Sequence, residues 1–533
     1  MIFQFARDIY FRSDIYNRML RRHGTAHIQA LTTDPVPGDP ARGAEILSGD
    51  MILAARRRRL GAHPFATALK SRRALAELYG FAWLRDLAAL SAPGAREAAQ
   101  ALVHDWLRHC DRWDPETWSP GVAGTRLLAW INYIEFVTNG SGGGLRADMA
   151  QSAAAQLRHL AGVARSDGTP LKDGEAGFAA GAALVAGAVA VPGREPLLDT
   201  GLACLEAAVR RDILADGAHR SRSPETACRA LARLIEAHRA LQAGRRPPPE
   251  FLVDALGRLG PAVKALTLGD GALTAFNGGV NGAAHTVSAV LGAAGVRGAA
   301  PASLPDGGYE RLHAGTTTVI ADTGGRDGAA GGGGHAGALS FEMSAGRHRL
   351  VVNCGAHPDE TTEWARVLRS TAAHSTLSVN DTDALPADAP RRADVGMAVR
   401  RNERGGSSLV QMGHEGYRRA FGIVYNRDLY LSGAGDDFRG KDALVGGAGA
   451  FTLRFHLHPD VGASMLEGGD AVLLKLPGGT GWRFRCAGAT PELEESVYLG
   501  DPAEPRRCRQ IVLRGDHHGR ETAVRWSFLR EGT

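Results

Sequence analysis

The sequence predicts an all-α domain followed by an antiparallel β domain. From about residue 65 to residue 265, apolar residues recur at the spacing of amphipathic helices, and from about residue 308 the period falls to two. Between these regions the chain is rich in glycine and alanine and carries little charge, which is typical of a linker. We therefore predict a helical domain over 1–266, a linker over 267–307 and a β domain over 308–533.

The helical region shows its amphipathic faces directly. One apolar stripe is formed by Leu127, Trp130, Ile131 and Ile134. Short breakers such as Ala92-Pro93-Gly94 and Pro192-Gly193 separate such segments. Eight or more helices of ordinary length, joined by short turns, predict a domain of helical hairpins.

The β region consists of short segments bounded by turn residues. Examples are TTTVIADTG, HRLVVNCG, FTLRFHLH and AVRWSFLR, which are rich in β-branched or aromatic residues. Many short strands of this kind predict a large antiparallel sandwich. A cleft between an α domain and a β domain is a natural place for a ligand.

Composition excludes several classes of protein. The formal charge of +5 is a slight excess that permits an acidic ligand, and only 6% of residues are aromatic, which argues against a nucleic-acid partner. The six cysteines form no CxxC pair, which argues against a zinc ribbon, a redox motif or a disulfide scaffold. Charges interrupt every apolar stretch near the N-terminus, so we expect neither a signal peptide nor a membrane span, and the cytoplasm is favoured. GxSxG, GxxxxGK[ST] and HExxH motifs are all absent.

Three stretches after residue 306 carry a family resemblance. GGYERLHAGTTTVIADTGG, HAGALSFEMSAGRHRLVVNCG and RSTAAHSTLSVNDTDA resemble the C-terminal domain of the heparinase II/III family of bacterial polysaccharide lyases. Upstream, DPVPGDPARGAEILSGD, FAWLRDL and DGAHRSRSPE agree, so the resemblance runs from about residue 34 to the end. It implies an incomplete (α/α) toroid followed by a multi-sheet antiparallel β-sandwich. Members of this family are often periplasmic.

The resemblance also implies a chemistry. Such lyases cleave uronic-acid-containing glycans, such as glycosaminoglycans or alginate, by β-elimination. One group must neutralise the carboxylate of the sugar, a base must take the neighbouring proton, and an acid must reach the leaving oxygen. The family is expected to use an Asn-His pair and a tyrosine from the toroid and a histidine from the sandwich, beside a metal.

This sequence departs from that pattern in the toroid. There is no asparagine between Asn139 and Asn277 and no tyrosine between Tyr133 and Tyr309. The segment that should supply the pair reads DGEAGFAAGAAL, which puts Glu175 and Ala176 there. Thr226 stands where the tyrosine is expected.

The sandwich departs as well. The family's HxHxD motif reads GGHAG, so Gly333 occupies the position of the base and Gly337 that of the carboxylate. The resemblance aligns His335, Asn353 and His374 with the metal ligands. Two imidazoles and an amide without a carboxylate form a poor zinc site, so we predict no cofactor and disfavour a divalent metal. His335 and His374 would be its ligands if a degenerate site persists.

The residues left for catalysis and binding are cationic, imidazole and phenol groups. Arg222, beside His219, is predicted to hold the substrate carboxylate, since guanidinium binds carboxylates bidentately. His335 or His374 is the predicted base, Tyr417 the acid, and Asn353 a further binding residue. Capping explains the Arg222 region equally well, because Ser223 and Pro224 read as a helix start, and a buried tyrosine explains Tyr417.

Further histidines and arginines have simpler interpretations. His238 lies on an apolar helix face and is expected in the core. His456 and His458 share a strand face, a weak metal pattern. The run Arg56–Arg59 reads as solvated surface before it reads as a glycan site.

The sequence thus predicts a polysaccharide lyase acting on an acidic polysaccharide or oligosaccharide. The alternative from another class is a catalytically degenerate protein of the same fold that binds acidic glycans or assists polysaccharide assembly. An elimination or hydrolysis with relocated residues is a third reading. Substrate, linkage and oligomeric state are not predicted.

Overall fold

The computed structural model describes residues 2–22, 27–67, 69–141, 143–165, 171, 174–324, 334–359, 361–384 and 396–532. The chain divides into two compact units. The helical unit comprises Met1–Ile213, Arg229–Gly257 and Gly292–Gly295. The β unit comprises Leu214–Cys228, Arg258–Leu291 and Val296–Thr533. The predicted order, helices first and antiparallel sheets second, is confirmed.

Helices dominate the described residues before residue 300. They are α1 (Ile2–Arg12), α2 (Asp14–Arg21), α3 (Pro40–Leu47), α4 (Arg72–Tyr79), α5 (Leu84–Ala89), α6 (Ala95–Cys110), α7 (Pro120–Thr138), α8 (Gly143–Arg165), α9 (Gly174–Ala190), α10 (Leu197–Asp212), α11 (Pro224–Ala243), α12 (Glu250–Ala265) and α13 (Ala284–Ala293). Two shorter helices, α14 (Glu363–Val367) and α15 (Arg418–Phe421), lie among the later strands.

Local signals explain where several helices begin. The Ser71 hydroxyl accepts the amide of Ala74 at the start of α4, and the Ser223 hydroxyl accepts the amide of Thr226 at 3.4 Å at the start of α11. The predicted stripe on α7 is fully buried. Helices α7 and α9 approach closely at Gly124, where an added Cβ would lie 2.6 Å from the Ala179 carbonyl carbon.

Nineteen strands are present among the described residues. They are β1 (Asp50–Leu53), β2 (Arg56–Arg59), β3 (Ser303–Leu304), β4 (Tyr309–Ala314), β5 (Thr317–Asp322), β6 (Phe341–Ala345), β7 (His348–Val352), β8 (Leu377–Val379), β9 (Ala398–Arg404), β10 (Ser407–His414), β11 (Val424–Leu431), β12 (Asp437–Val445), β13 (Ala448–Leu457), β14 (Gly462–Met465), β15 (Ala471–Lys475), β16 (Gly481–Ala487), β17 (Pro491–Tyr498), β18 (Arg506–His518) and β19 (Glu521–Arg530).

The strands of the β unit form two large antiparallel sheets. One has the order β14-β15-β16-β19-β12-β11-β10-β9, and the other has the order β17-β18-β13-β7-β6-β5-β4-β3, with β8 paired to β13. A single buried core contains side chains from both sheets. Phe455 of the second sheet meets Trp526 of the first with ring centroids 4.9 Å apart. The two sheets therefore form the predicted sandwich.

The helical unit holds one small hairpin, β1 with β2. The register pairs Asp50 with Arg59 and Leu53 with Arg56. The four arginines of β2 are mostly exposed, as their interpretation as solvated surface requires.

The segment predicted as a linker, 267–307, has more structure than a linker. It contains α13 and β3, and Leu268 and Phe276 are buried in a cluster with Tyr309. Its glycine- and alanine-rich composition is typical of a linker, but these apolar residues pack in a buried cluster of the β unit. The domain bounds given above remain a sequence prediction.

None of the described helices has an apolar stretch of the length needed to cross a membrane.

Candidate functional site

Arg222, the predicted carboxylate clamp, lies buried in the β unit. Its guanidinium forms an ion pair with Asp322 at the end of β5, and its Nε donates to the Gly307 carbonyl at 2.9 Å. A Cβ at Gly324 would lie 2.3 Å from the Arg222 guanidinium carbon, so a larger residue there would displace the guanidinium from its present position. The structure thus turns Arg222 toward protein groups, and its first partner is a carboxylate of the chain itself.

A tyrosine and an asparagine extend this buried network. The Asn277 side-chain amide donates to the Tyr309 hydroxyl at 3.0 Å and to the second Asp322 oxygen at 3.2 Å. The Tyr309 hydroxyl in turn donates to the backbone carbonyl of Arg222. Burial raises the pKa of Tyr309 above its ordinary value, so the phenol keeps its proton and serves as a donor.

His335 and His374 meet beside this network. Their Nδ1 and Nε2 atoms are 3.1 Å apart, and the His335 amide lies 3.5 Å from the Asn277 side-chain oxygen. His374 Nδ1 donates to the Ser370 carbonyl at 2.7 Å, which leaves Nε2 as the acceptor for a proton from His335. Burial lowers the pKa of His374, so this imidazole is neutral. Among the predicted site residues, Arg222, His335 and His374 are therefore brought together.

Asn353 follows β7 directly and is fully buried. Its side-chain oxygen accepts the amide of Ser375 at 2.9 Å, one residue after His374. The resemblance-derived trio is thus neighbouring, as its alignment with a metal site implies, but an amide stands where a carboxylate would supply negative charge. Gly333, the position of the expected base, lies outside the described residues.

Tyr417 and His219 are both buried in the β unit, and the His219 backbone carbonyl accepts the Arg222 amide at 2.8 Å. Tyr417 belongs to the sandwich core, and its described hydrogen bonds go to the carbonyls of Leu377 at 3.0 Å and Thr382 at 3.4 Å. Burial raises the pKa of this phenol well above its ordinary value, which makes it a poor proton donor to a leaving group. His219 is also buried, and its Nδ1 accepts the Ser221 amide at 3.0 Å within its own turn.

Of the other histidines considered in the sequence, His238 is less buried than expected for the core, and His456 and His458 lie at the end of β13. His238 is half-buried. The ring of His456 is buried and bonded to the Ala372 carbonyl at 3.0 Å and the Ser496 hydroxyl at 2.8 Å, and burial lowers its pKa to about 3. His458 lies just after β13, with Nδ1 3.5 Å from an Asp460 oxygen.

A separate feature, a groove of about 840 Å³, lies within the helical unit. This is the volume range of ligand sites. Its wall contains five arginines against three carboxylates, together with aromatic side chains. The charged lining residues are Arg7, Arg72, Arg73, Arg229, Arg233, Asp8, Glu77 and Glu175. The aromatic ones are Phe11, Trp113, Trp118, His159 and Phe178.

Two helices present most of this positive charge. Arg72 and Arg73 lie in the first turn of α4, while Arg229 and Arg233 are four residues apart on one face of α11. Arg73 pairs with Glu77 at 2.6 Å. Arg72 is exposed, and the described part of the chain offers it no ion pair. Arg72 is therefore the groove cation best able to receive an anion from outside.

The imidazole of the groove, His159, is held by its neighbours. Its Nε2 accepts the indole N–H of Trp113 at 3.3 Å, and its Nδ1 is 2.8 Å from the Tyr16 hydroxyl. Burial lowers the pKa of His159 to about 3, so the ring is neutral at ordinary pH. With both nitrogens bonded inside the wall, His159 positions aromatic side chains and has no lone pair left to act as a base.

The groove also contains Glu175 and Ala176, the two positions at which the resemblance leads us to expect the catalytic Asn-His pair. Glu175 pairs with Arg229 at 2.5 Å. At the positions where the resemblance leads us to expect catalytic residues, the groove therefore presents a carboxylate and a methyl group. The resemblance indicates these two positions as site positions. It does not indicate the arginines, which are spread from residue 7 to residue 233.

Comparisons with known proteins identify the family of the chain. The family described as Heparinase II/III-like, C-terminal, matches residues 296–527. FtsZ-localized protein C of Caulobacter vibrioides (strain NA1000 / CB15N) is 32% identical over 532 residues, covering 94% of this chain and 90% of the relative.

Solved structures show the same fold. A crystal structure of heparinase III superposes with a TM-score of 0.73 at 14% identity, covering 97% of this chain and 89% of that one. A heparan sulfate lyase HepC mutant from Pedobacter heparinus gives a TM-score of 0.62 at 14% identity, covering 97% and 87%. The prediction of an incomplete (α/α) toroid followed by a β-sandwich is confirmed. The chain therefore belongs to the heparinase II/III-like family, of which it is a divergent member related over nearly its whole length to FtsZ-localized protein C.

Proposed function

We propose that this protein binds an acidic polysaccharide in the arginine-lined groove of its helical unit and does not cleave it. The observation that carries the proposal is the pair Glu175 and Ala176 in the groove wall. β-Elimination needs a group that stabilises extra negative charge on the uronate and a base beside it. A carboxylate opposes the first requirement, and a methyl group cannot meet the second.

The other groups that could replace the missing pair are already engaged. Arg222 is paired with Asp322, His335 and His374 are bonded to each other, and all are buried in the β unit. A proton-transfer group must come within hydrogen-bond reach of the substrate. These contacts support binding over catalysis by His335 and His374.

The lining of the groove indicates the class of ligand. Guanidinium groups bind carboxylates and sulfates through paired hydrogen bonds, and such charge-assisted bonds are stronger than neutral ones. Of the aromatic side chains in the lining, the half-buried Phe11 offers apolar surface to a sugar ring, and the others are buried. A uronate-containing or sulfated glycan satisfies both features, whereas a neutral glycan offers no negative charge to the exposed Arg72.

The decisive experiment separates binding from cleavage. The purified full-length chain is mixed with heparin-like, chondroitin-like, alginate and bacterial acidic glycans, and the ultraviolet absorbance of the unsaturated uronate is followed with an active heparinase as positive control. We expect binding of at least one glycan, weakened by added salt, and no absorbance change. Product formation that falls in His335→Ala or His374→Ala would refute the proposal and support the lyase predicted from the sequence.

A second role follows from the relative. FtsZ-localized protein C is named for its localisation with FtsZ, and it matches 94% of this chain. We propose that this protein also localises with FtsZ, and that it acts in the cytoplasm. A fluorescent fusion at native expression level in its own host should overlap labelled FtsZ and become diffuse when FtsZ is depleted. A fusion that is diffuse while FtsZ is assembled, or that fluoresces outside the cytoplasm, contradicts this role.

A further inference from the structure

Two histidines and an aspartate come together at a position of the helical unit that the glycan-binding groove does not use. His63 precedes the short 3-10 helix Pro64–Ala66, and Asp105 and His109 lie on α6. Residues four apart share one face of a helix, so Asp105 and His109 are neighbours by local geometry alone. The fold adds His63, which is 42 residues away from Asp105 in the chain. We call these three residues the His63 cluster.

The ligand atoms of the cluster already converge. His63 Nδ1 is 2.7 Å from Asp105 Oδ1, and His109 Nδ1 is 3.1 Å from the same oxygen. One ligand atom from each residue can be chosen such that all three lie within 4.8 Å of one another. Tetrahedral zinc with ligands at about 2.0–2.1 Å needs ligand atoms about 3.3 Å apart. The two nitrogen–oxygen pairs are therefore slightly too close, and the two imidazole nitrogens, which lie within 4.8 Å of each other, must reach the same separation.

A backbone amide orients the Asp105 carboxylate of the cluster. Its other oxygen, Asp105 Oδ2, accepts the backbone amide of Phe65 at 3.2 Å. The Asp105 side chain is 6% exposed, whereas the rings of His63 and His109 are 56% and 29% exposed. The anionic ligand is therefore inside and oriented by a second hydrogen bond, and the two imidazoles border solvent, from which water can complete the coordination.

We propose that the His63 cluster binds a divalent transition metal, with zinc as the best fit. Imidazole and carboxylate ligands suit zinc and its first-row neighbours, whereas magnesium and calcium prefer oxygen ligands throughout. Three protein ligands leave one position for water. Binding through the two Nδ1 atoms replaces the hydrogen bonds of His63 to the Asp105 carboxylate and of His109 to the Asp105 backbone carbonyl, so each neutral ring carries its proton on Nε2 when the metal is bound.

The two histidines that meet in the sandwich form a weaker candidate metal site than the His63 cluster. His335 and His374 also meet, but their third neighbour is Asn353, which brings no negative charge. Among the described residues, the His63 cluster alone brings together three potential ligands from His, Cys, Asp or Glu. Metal affinity in this chain is therefore assigned to the helical unit.

A metal here would fasten the segment around His63 to α6. The same segment places Phe65 against Tyr79 and Phe81, with ring centroids 5.2 Å and 5.4 Å apart. It also leads into α4, which carries Arg72 of the groove. The expected consequence is a more heat-stable helical unit in the metal-loaded protein, because a ligand that binds only the folded state stabilises it.

The test uses untagged full-length protein freed of metal with a chelator. Zinc is titrated by calorimetry, cobalt by visible absorbance, and the melting temperature is measured with and without zinc. We expect one zinc per chain and a higher melting temperature. Losing a group that merely orients a ligand costs about 10- to 100-fold in affinity, so His63→Ala and His109→Ala should each lose at least that much. The exposed neighbour His104→Ala is the matched control and should bind zinc as the unmodified protein does.

Three results would overturn the assignment. They are no zinc binding by the unmodified chain, undiminished affinity in His63→Ala, and loss of zinc in His335→Ala or His374→Ala with the His63 cluster intact. Since His63 is largely exposed, its alanine variant should fold, and circular dichroism establishes that it has.

Discussion

Replacing Asp322 with alanine should lower the free energy of unfolding by about 3–5 kcal/mol, the usual cost of leaving one partner of a buried ion pair without the other. Arg222 and Asp322 expose only 8% and 4% of their side chains. The variant removes the Asp322 counter-charge from the buried guanidinium, which keeps its bonds to the Gly307 and Gly308 carbonyls. It also removes an acceptor from Asn277. The measurement is equilibrium unfolding in urea, followed by circular dichroism and tryptophan fluorescence.

The matched control is Asp381→Asn, because Asp381 has a positive φ of 51° that asparagine tolerates better than alanine. Asp381 lies 3.8 Å from Arg454, but its side chain is 83% exposed, so the loss should be below about 1 kcal/mol. If Asp322→Ala unfolds too readily to be purified, Asp322→Asn keeps the shape and removes only the charge. An Asp322→Ala protein of unchanged stability that bound acidic glycans more weakly would restore the interpretation of Arg222 as a carboxylate clamp.

Replacing Arg72 with alanine should weaken binding of an acidic glycan by about 10- to 150-fold, the equivalent of one hydrogen bond to a charged group at about 1.5–3 kcal/mol. Arg72 lines the groove and is exposed. The free energy of unfolding should change by no more than about 0.5 kcal/mol, as for other surface substitutions. Affinity is measured by calorimetry with a size-defined oligosaccharide.

Arg42→Ala is the control for this experiment. Arg42 lies on α3, outside the groove lining, and its side chain is 58% exposed. It removes the same charge from the same unit, so any general effect of net charge appears in both variants. Arg72→Lys should recover part of the affinity, because lysine keeps the charge and loses the bidentate geometry. Equal affinities in the unmodified, Arg72→Ala and Arg42→Ala proteins would place the glycan elsewhere.

The helices and strands were predictable because their signals are local. Leu127, Trp130, Ile131 and Ile134 recur at the helical period, and the structure buries all four. The residues of β13 and β19 alternate, and both strands lie in the sandwich. The resemblance added the family, and with it the neighbourhood of His335, Asn353 and His374. Periodicity and motif order depend on short stretches of chain, which the sequence contains completely.

Tertiary structure decided what these residues do. The chemistry of its guanidinium fitted Arg222 as a carboxylate clamp, but burial beside Asp322, 100 residues later, makes it one partner of an internal ion pair. The groove arginines share no motif, because α4 and α11 are far apart in sequence and meet only through folding. In the His63 cluster, Asp105 and His109 are visible as a helical pair, while His63 joins them only in space. Burial, counter-charges and long-range convergence depend on which distant segments pack together, and local patterns do not contain that information.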